Sequence, residues 1–131
     1  MRGFTSRGNT VSYMLLIVEP NGQRATRTEA QGREAYAQMQ AFGESLRAQG
    51  KLAAVASLAG LGDAVRVSEA PGVPRRLDGP FAEAKEMVGG FFLLDGVTRE
   101  EAISLARQCP AAQWATVEVR ALAPCFDESR A

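Results

Sequence analysis

Histidine is missing altogether from the 131-residue chain. Its absence removes the Ser-His and Cys-His nucleophile pairs, the side chain that most readily exchanges protons near neutral pH, and the commonest metal ligand. Any catalysis would fall to carboxylates, Lys, Tyr, Arg or a bound cofactor. Cysteine is scarce too: Cys109 and Cys125 are the two thiols, and they lack the C-x-x-C pairing of zinc ribbons and redox motifs, which argues against a disulfide framework. Cys109 stands before Pro110 at the end of a helical pattern, where the negative end of the helix dipole disfavours a thiolate, so it reads as a buried filler rather than a nucleophile. Net charge is also lacking, with 15 Lys plus Arg against 15 Asp plus Glu. Without a basic surplus there is no footprint for tracking phosphates, and nucleic acid is not expected as a partner. Nor are there long apolar runs. The one near the start, Met14 to Val18, is stopped by Glu19 and Pro20, too short for a signal h-region or a membrane span. A cytoplasmic protein with no membrane partner is expected.

What is present fits one domain. Residues 1–11 are polar and aperiodic and read as a flexible tail, residues 12–124 as the folded domain, and residues 125–131 as a C-terminal tail. SYMLLIV (12–18) is strand-like and ends at a Glu-Pro-Asn-Gly turn. In QGREAYAQMQAFGESLRAQG, residues Tyr36, Met39, Phe42 and Leu46 share one face of a helix that Gly50 would stop. Gly43 inside that helix costs about 1 kcal/mol relative to Ala, which implies close packing against a neighbouring backbone. KLAAVASL (51–58) and AVRVSE (64–69) read as a hairpin across AGLGD, APGVPRR as a loop, and VGGFFLLDG (88–96) as a further strand. Thr98 and Glu101 form a T-x-x-E capping box for a second helix that ends at Pro110. In ATVEVRAL, Val117 and Val119 alternate with Glu118 and Arg120 as a last strand.

Strand, helix, hairpin strands, strand, helix, strand is the α+β, ferredoxin-like βαββαβ plan, with two helices on one sheet face. If the other face met water, each strand would alternate apolar with polar. Met14 to Val18 and Phe91-Phe92-Leu93-Leu94 do not alternate, and in this plan they form the two central strands. The second face therefore needs a cover that the short polar tails do not supply. A second copy is the expected cover: a homodimer packed through the open sheet face, with about 1,200–2,000 Å² or more buried.

Several stretches carry a resemblance. SYMLLIV, LRAQGKL, DGPFAEAKEMVGGFFLLD and EEAISLARQCPAA followed by VEVRAL resemble the YCII-related, DGPF-motif proteins over roughly residues 12–122. The resemblance implies a ferredoxin-like dimeric α/β barrel, no assigned activity for most members, and a link to sigma factors of the extracytoplasmic-function type, beside or fused to which related members occur. Some relatives carry a His and an Asp proposed as a catalytic pair. This chain has no His and reads REAYAQM at the corresponding helix start, so the pair does not carry over. Asp78, in the DGPF motif, transfers by position. Where the family tends to have a proline between the second and third strands, this chain has SLAGLGD.

DGPFAEAKEMVGG (78–90) allows two readings. In the structural one, Asp78-Gly79-Pro80 is a turn in which Asp78 accepts backbone N–H bonds, Pro80 opens a short helical turn, Phe81 plugs the core, and Gly89-Gly90 lets a backbone approach. In the functional one, the motif faces a pocket between sheet and helices. Asp78, its pKa raised by desolvation, is then the general acid or base; Lys85 or Arg66 holds an anionic group, and Tyr13 or Tyr36 orients a small carbonyl-containing substrate. Arg75-Arg76 would clamp an anion or simply aid solubility. Asp63, Asp78, Glu83 and Glu86 lack the spacing of a cation site, so neither metal nor cofactor is expected. The functions left open are a small-molecule binding or sensing module tied to regulation, a cofactor-independent enzyme using Asp78, and a scaffold.

Overall fold

A computed structural model describes residues 11–126. The tail expectations for residues 1–10 and 127–131 lie outside the described residues. Val11 already belongs to the first strand, β1 (Val11–Pro20). The other strands are β2 (Leu52–Ser57), β3 (Val65–Ala70), β4 (Val73–Asp78), β5 (Glu86–Val97) and β6 (Thr116–Ala121), with helices α1 (Glu29–Ala48) and α2 (Arg99–Gln108). The main sheet has the order β2-β5-β1-β6, antiparallel throughout, while β3 and β4 form a separate two-stranded sheet. The main sheet is open, with β2 and β6 as its edges, and does not close into a barrel.

Leu15 and Ile17 of β1 and Phe92 and Leu94 of β5 join Leu46 of α1 and Ala102, Leu105 and Ala106 of α2 in one buried cluster. Both helices therefore cover the same sheet face. Cys109 is buried in that cluster, its Sγ 3.9 Å from Met39 Sδ, and burial pushes its thiol pKa up, as befits a filler. Phe42 meets Phe92 edge-on at 5.2 Å. Gly43 packs close to the Phe92 ring, 3.4 Å from an added Cβ, so the close neighbour is a side chain rather than a backbone.

The helix ends follow local chemistry. Thr28 and Gln31 cap α1 reciprocally, as Thr98 and Glu101 cap α2. After α1, Gly50 takes φ +71°, and the N–H groups of Gly50 and Lys51 return to the carbonyls of Arg47 and Leu46, a Schellman stop. The Thr98 N–H, together with Lys51 Nζ at 3.5 Å, holds the Glu101 carboxyl below its ordinary pKa of 4.5. A carboxyl whose pKa is lowered by folding stabilises above its unfolded value and loses that contribution as pH falls through the folded one. Glu101→Gln keeps the cap, as Gln31 shows, and removes the charge. The stability advantage of wild type over Glu101→Gln, followed by thermal melts against pH, is expected to be constant near neutrality and to shrink below about pH 4.5. An advantage that persists unchanged at lower pH contradicts it.

Two local expectations are corrected. The strand after β2 does not pair with it: Leu61–Asp63 form a 3-10 turn that redirects the chain, and the stretch read as a loop contains β4. The stronger turn signal is Pro71-Gly72, where Gly72 adopts φ +76° and Ala70 faces Val73. FAEAKE is shorter than expected: one turn over Phe81–Ala84, with Glu86 already in β5. The Ala84 N–H closes this single turn on the Phe81 carbonyl at 3.0 Å. Asn21 Nδ2 donates to the Phe81 and Ala84 carbonyls and the Asn21 N–H to the Lys85 carbonyl, and the chain enters β5 without a further turn.

Candidate functional site

Only the C-terminal half of α1 docks on the sheet: its buried residues are Gly43 and Leu46. The N-terminal half stands off β2 and β5, and the space beneath is a cleft of about 920 Å³. Gly32, Tyr36, Met39 and Gly43 line it from the helix, Ile17, Val55 and Phe92 from the sheet, and Trp114 from the connection between α2 and β6. The walls are thus largely apolar, with charged groups at defined places.

The first charged group is Glu19, 5% exposed at the end of β1. It follows Leu15 and Ile17 on the helix-facing side of the strand, which places a carboxylate where a core residue is due. Arg24, in the 3-10 turn Gln23–Thr26, answers it: Nη2 lies 2.6 Å from Oε1 and Nε 3.3 Å from Oε2. Arg24 Nη1 also donates to the Leu58 carbonyl at 2.8 Å and Nη2 to the Gly89 carbonyl at 3.3 Å, tying this pair to β2 and β5. Gly89 makes room for it. A Cβ there would fall on the Glu19 carboxylate, 1.7 Å from Oε1, and 2.9 Å from Arg24 Nη2. Gly90 is needed for another reason, since its Cβ would lie 2.7 Å from the Ala56 carbonyl of β2.

The second is Arg27, half-buried, with its guanidinium 5.6 Å from the Trp114 ring centroid. Gln23 holds this corner together, donating from Nε2 to the Trp114 carbonyl at 2.8 Å and accepting from Arg27 Nη2 at 3.4 Å. Arg33 and Arg47, also at the cleft, are exposed and paired on α1 with Glu29 and Glu44.

Of the residues singled out from sequence, Tyr36 lines this cleft and is 54% exposed. Tyr13 packs against the core cluster from β1. Asp78 ends β4 as an exposed carboxylate accepting from Arg76 Nε at 2.9 Å. It takes the side chain of a neighbour, while the backbone staple of the turn is Asn21. Arg66 lies 3.8 Å over the ring of buried Phe81, and Lys85 is exposed beside them in sequence. Asp78, Arg66, Lys85 and Tyr13 are not among the cleft's lining residues, so of the five Tyr36 alone lines it. Among the described residues, no cluster of three or more Cys, Asp or Glu side chains is arranged to hold a metal ion, and no helix is long and apolar enough to cross a membrane. Glu19, Arg24, Arg27 and Trp114 were passed over in the sequence. The available signal was the core-facing alternation Leu15, Ile17, Glu19, which puts a charge in phase with the core.

Fold and cleft together define a class: a small α+β protein carrying a ligand-sized cleft on the helix side of an open antiparallel sheet. The chain belongs to the YCII-related domain family, which it matches over residues 11–125. It is also similar to an uncharacterized protein of Rhizobium meliloti (strain 1021), with 41% identity over 76 residues, 56% of this chain and 61% of that protein. That match spans less than two thirds of the relative's length.

Proposed function

We propose that the protein is a dimeric small-molecule binding or sensing module whose ligand enters the cleft under the N-terminal half of α1. The observation that carries this reading is the cleft itself. About 920 Å³, apolar walls and a few fixed polar groups are the properties of small-molecule sites. Asp78 faces solvent and is ion-paired, which favours binding over acid/base chemistry at that residue. The sigma-factor association of the DGPF-motif relatives suggests transcriptional regulation as the setting.

The dimer forms through the sheet face opposite the helices, where two ferredoxin-like units make an α/β barrel. Support comes from the register: Leu16 pairs with Phe91 and Met14 with Leu93, a half-buried apolar strip that no element of the described chain covers. The β3–β4 hairpin adds exposed apolar groups, Val67 at 68% among them, and an isolated two-stranded hairpin is marginal in water. Light scattering at micromolar concentration should give twice the chain mass; a clean monomer overturns this part.

Trp114 is the chain's one tryptophan and lies in the cleft wall, so its fluorescence reports occupancy. A fragment set should contain compounds that shift this emission saturably and raise the melting temperature. Gly32 offers the control: it lines the cleft and an added Cβ meets nothing within 4 Å, so Gly32→Phe should leave the fold intact and obstruct the ligand. Binding unaffected by that plug would rule the cleft out.

A further inference from the structure

Resting on the reading of the cleft as a ligand site, we infer the chemical class of its ligand: a small organic monoanion, with a carboxylate held by Arg27 and an apolar body lying along Met39, Ile17 and Phe92. The observation is a charge imbalance confined to one residue. Four arginines and three glutamates line the cleft. Arg24 is matched by Glu19, Arg33 by Glu29 and Arg47 by Glu44. Arg27 is the remaining one. Among the described residues it forms no ion pair; its contacts are the neutral Gln23 amide and the Trp114 face.

A half-buried guanidinium in that position is preorganised for an anion. The ring and Gln23 fix its plane, and a planar fork matches a carboxylate through two parallel N–H bonds. Partial removal from water strengthens the attraction. The residue immediately after Arg27 is Thr28, the N-cap of the 20-residue α1, so the positive end of that helix dipole adds to the same field. One unmatched positive charge selects a monoanion over a polyanion, because a second negative charge would find no partner and would face Glu29 and Glu44. The apolar walls select a body that is not itself strongly polar.

The experiment compares matched acid and amide probes: 2-naphthoate with 2-naphthamide, and 4-phenylbutyrate with 4-phenylbutyramide. Titration calorimetry on the full chain gives affinities independent of Trp114 emission. Each acid is expected to bind about tenfold or more tighter than its amide, in line with a charge-assisted hydrogen-bonded pair. Arg27→Gln should abolish that preference by weakening the acids more than the amides, and Arg27→Lys, which keeps the charge without the fork, should fall between. Melting curves confirm that both variants are folded, and the lysine variant decides if the glutamine one is not. Acid and amide binding alike overturns the anion inference and leaves the cleft reading standing. An acid preference that survives Arg27→Gln overturns the role of Arg27. Failure of all four probes to bind overturns the inference and the cleft reading together.

Discussion

Gly79→Ala is expected to destabilise the protein by about 3 kcal/mol, the upper end of the usual overpacking cost, and to loosen the β3–β4 hairpin before the main sheet. A Cβ on Gly79 would fall 2.2 Å from the Leu61 carbonyl oxygen and 3.0 Å from that of Ala64. Both obstacles are backbone, so no side-chain rotation relieves the collision. The Gly79 N–H donates to the Ala64 carbonyl at 2.7 Å, and separating the two segments breaks that bond as well. Because the hairpin pairs with no other strand, the damage should appear first there. Denaturant titration gives the loss of stability, and amide exchange should show the β3–β4 amides losing protection while β1 and β5 keep theirs. Gly62→Ala is the contrast, since its Cβ meets nothing within 4 Å; it should stay within about 0.5 kcal/mol of wild type. Equal effects at the two glycines would sink the steric argument.

Arg24→Ala should cost about 3 kcal/mol, because it leaves the buried Glu19 carboxylate without its cation. Glu19 has 7% of its side chain exposed against 37% for Arg24, so the orphaned acid suffers more than an orphaned arginine would. Glu19→Gln alone is therefore expected to cost less, about 1–2 kcal/mol. Combining the two should cost less than their sum, since the amide left behind carries no charge. A double-mutant cycle by urea denaturation measures the coupling. A value below about 0.5 kcal/mol, within the additivity expected of independent sites, would show that the pair does not hold the cleft floor.

How much of this was legible in the sequence depends on the range of the interaction. The capping box at Thr98 and Glu101 and the Gly50 stop are local chemistry within a few residues, and they read directly. The doubly apolar central strands also read correctly, because the alternation test needs no partner. The β3–β4 pairing was missed because turn residues compete: AGLGD and Pro71-Gly72 both look like hairpin signals, and only tertiary placement of β2 against β5 decides between them. The cleft was missed for a different reason. Glu19 and Arg24 are five residues apart, but they meet at Gly89 of β5, and Arg24 also reaches Leu58 just past β2; no spacing along the chain encodes that meeting. Asp78 attracted notice as a charge in a motif, whereas the motif's invisible member, Gly79, does more to hold the corner.

Gly89 has one more effect. In the β1–β5 ladder Ile17 faces Gly90 and Val18 faces Val88, so Gly89 is an extra residue on β5. Side chains of a regular strand alternate with period two, and the insertion reverses the parity of everything before it. Met87 and Phe92, an odd number of positions apart, are consequently both buried. The strand behaves as two half-strands in antiphase. A regular ladder with Gly89 opposite Val18 would instead turn Met87 outward and Val88 inward. The motif-bearing half of β5 is thus tied to the core-forming half by this bulge, and a register in which Gly89 paired regularly would exchange inside for outside over the whole 86–88 end.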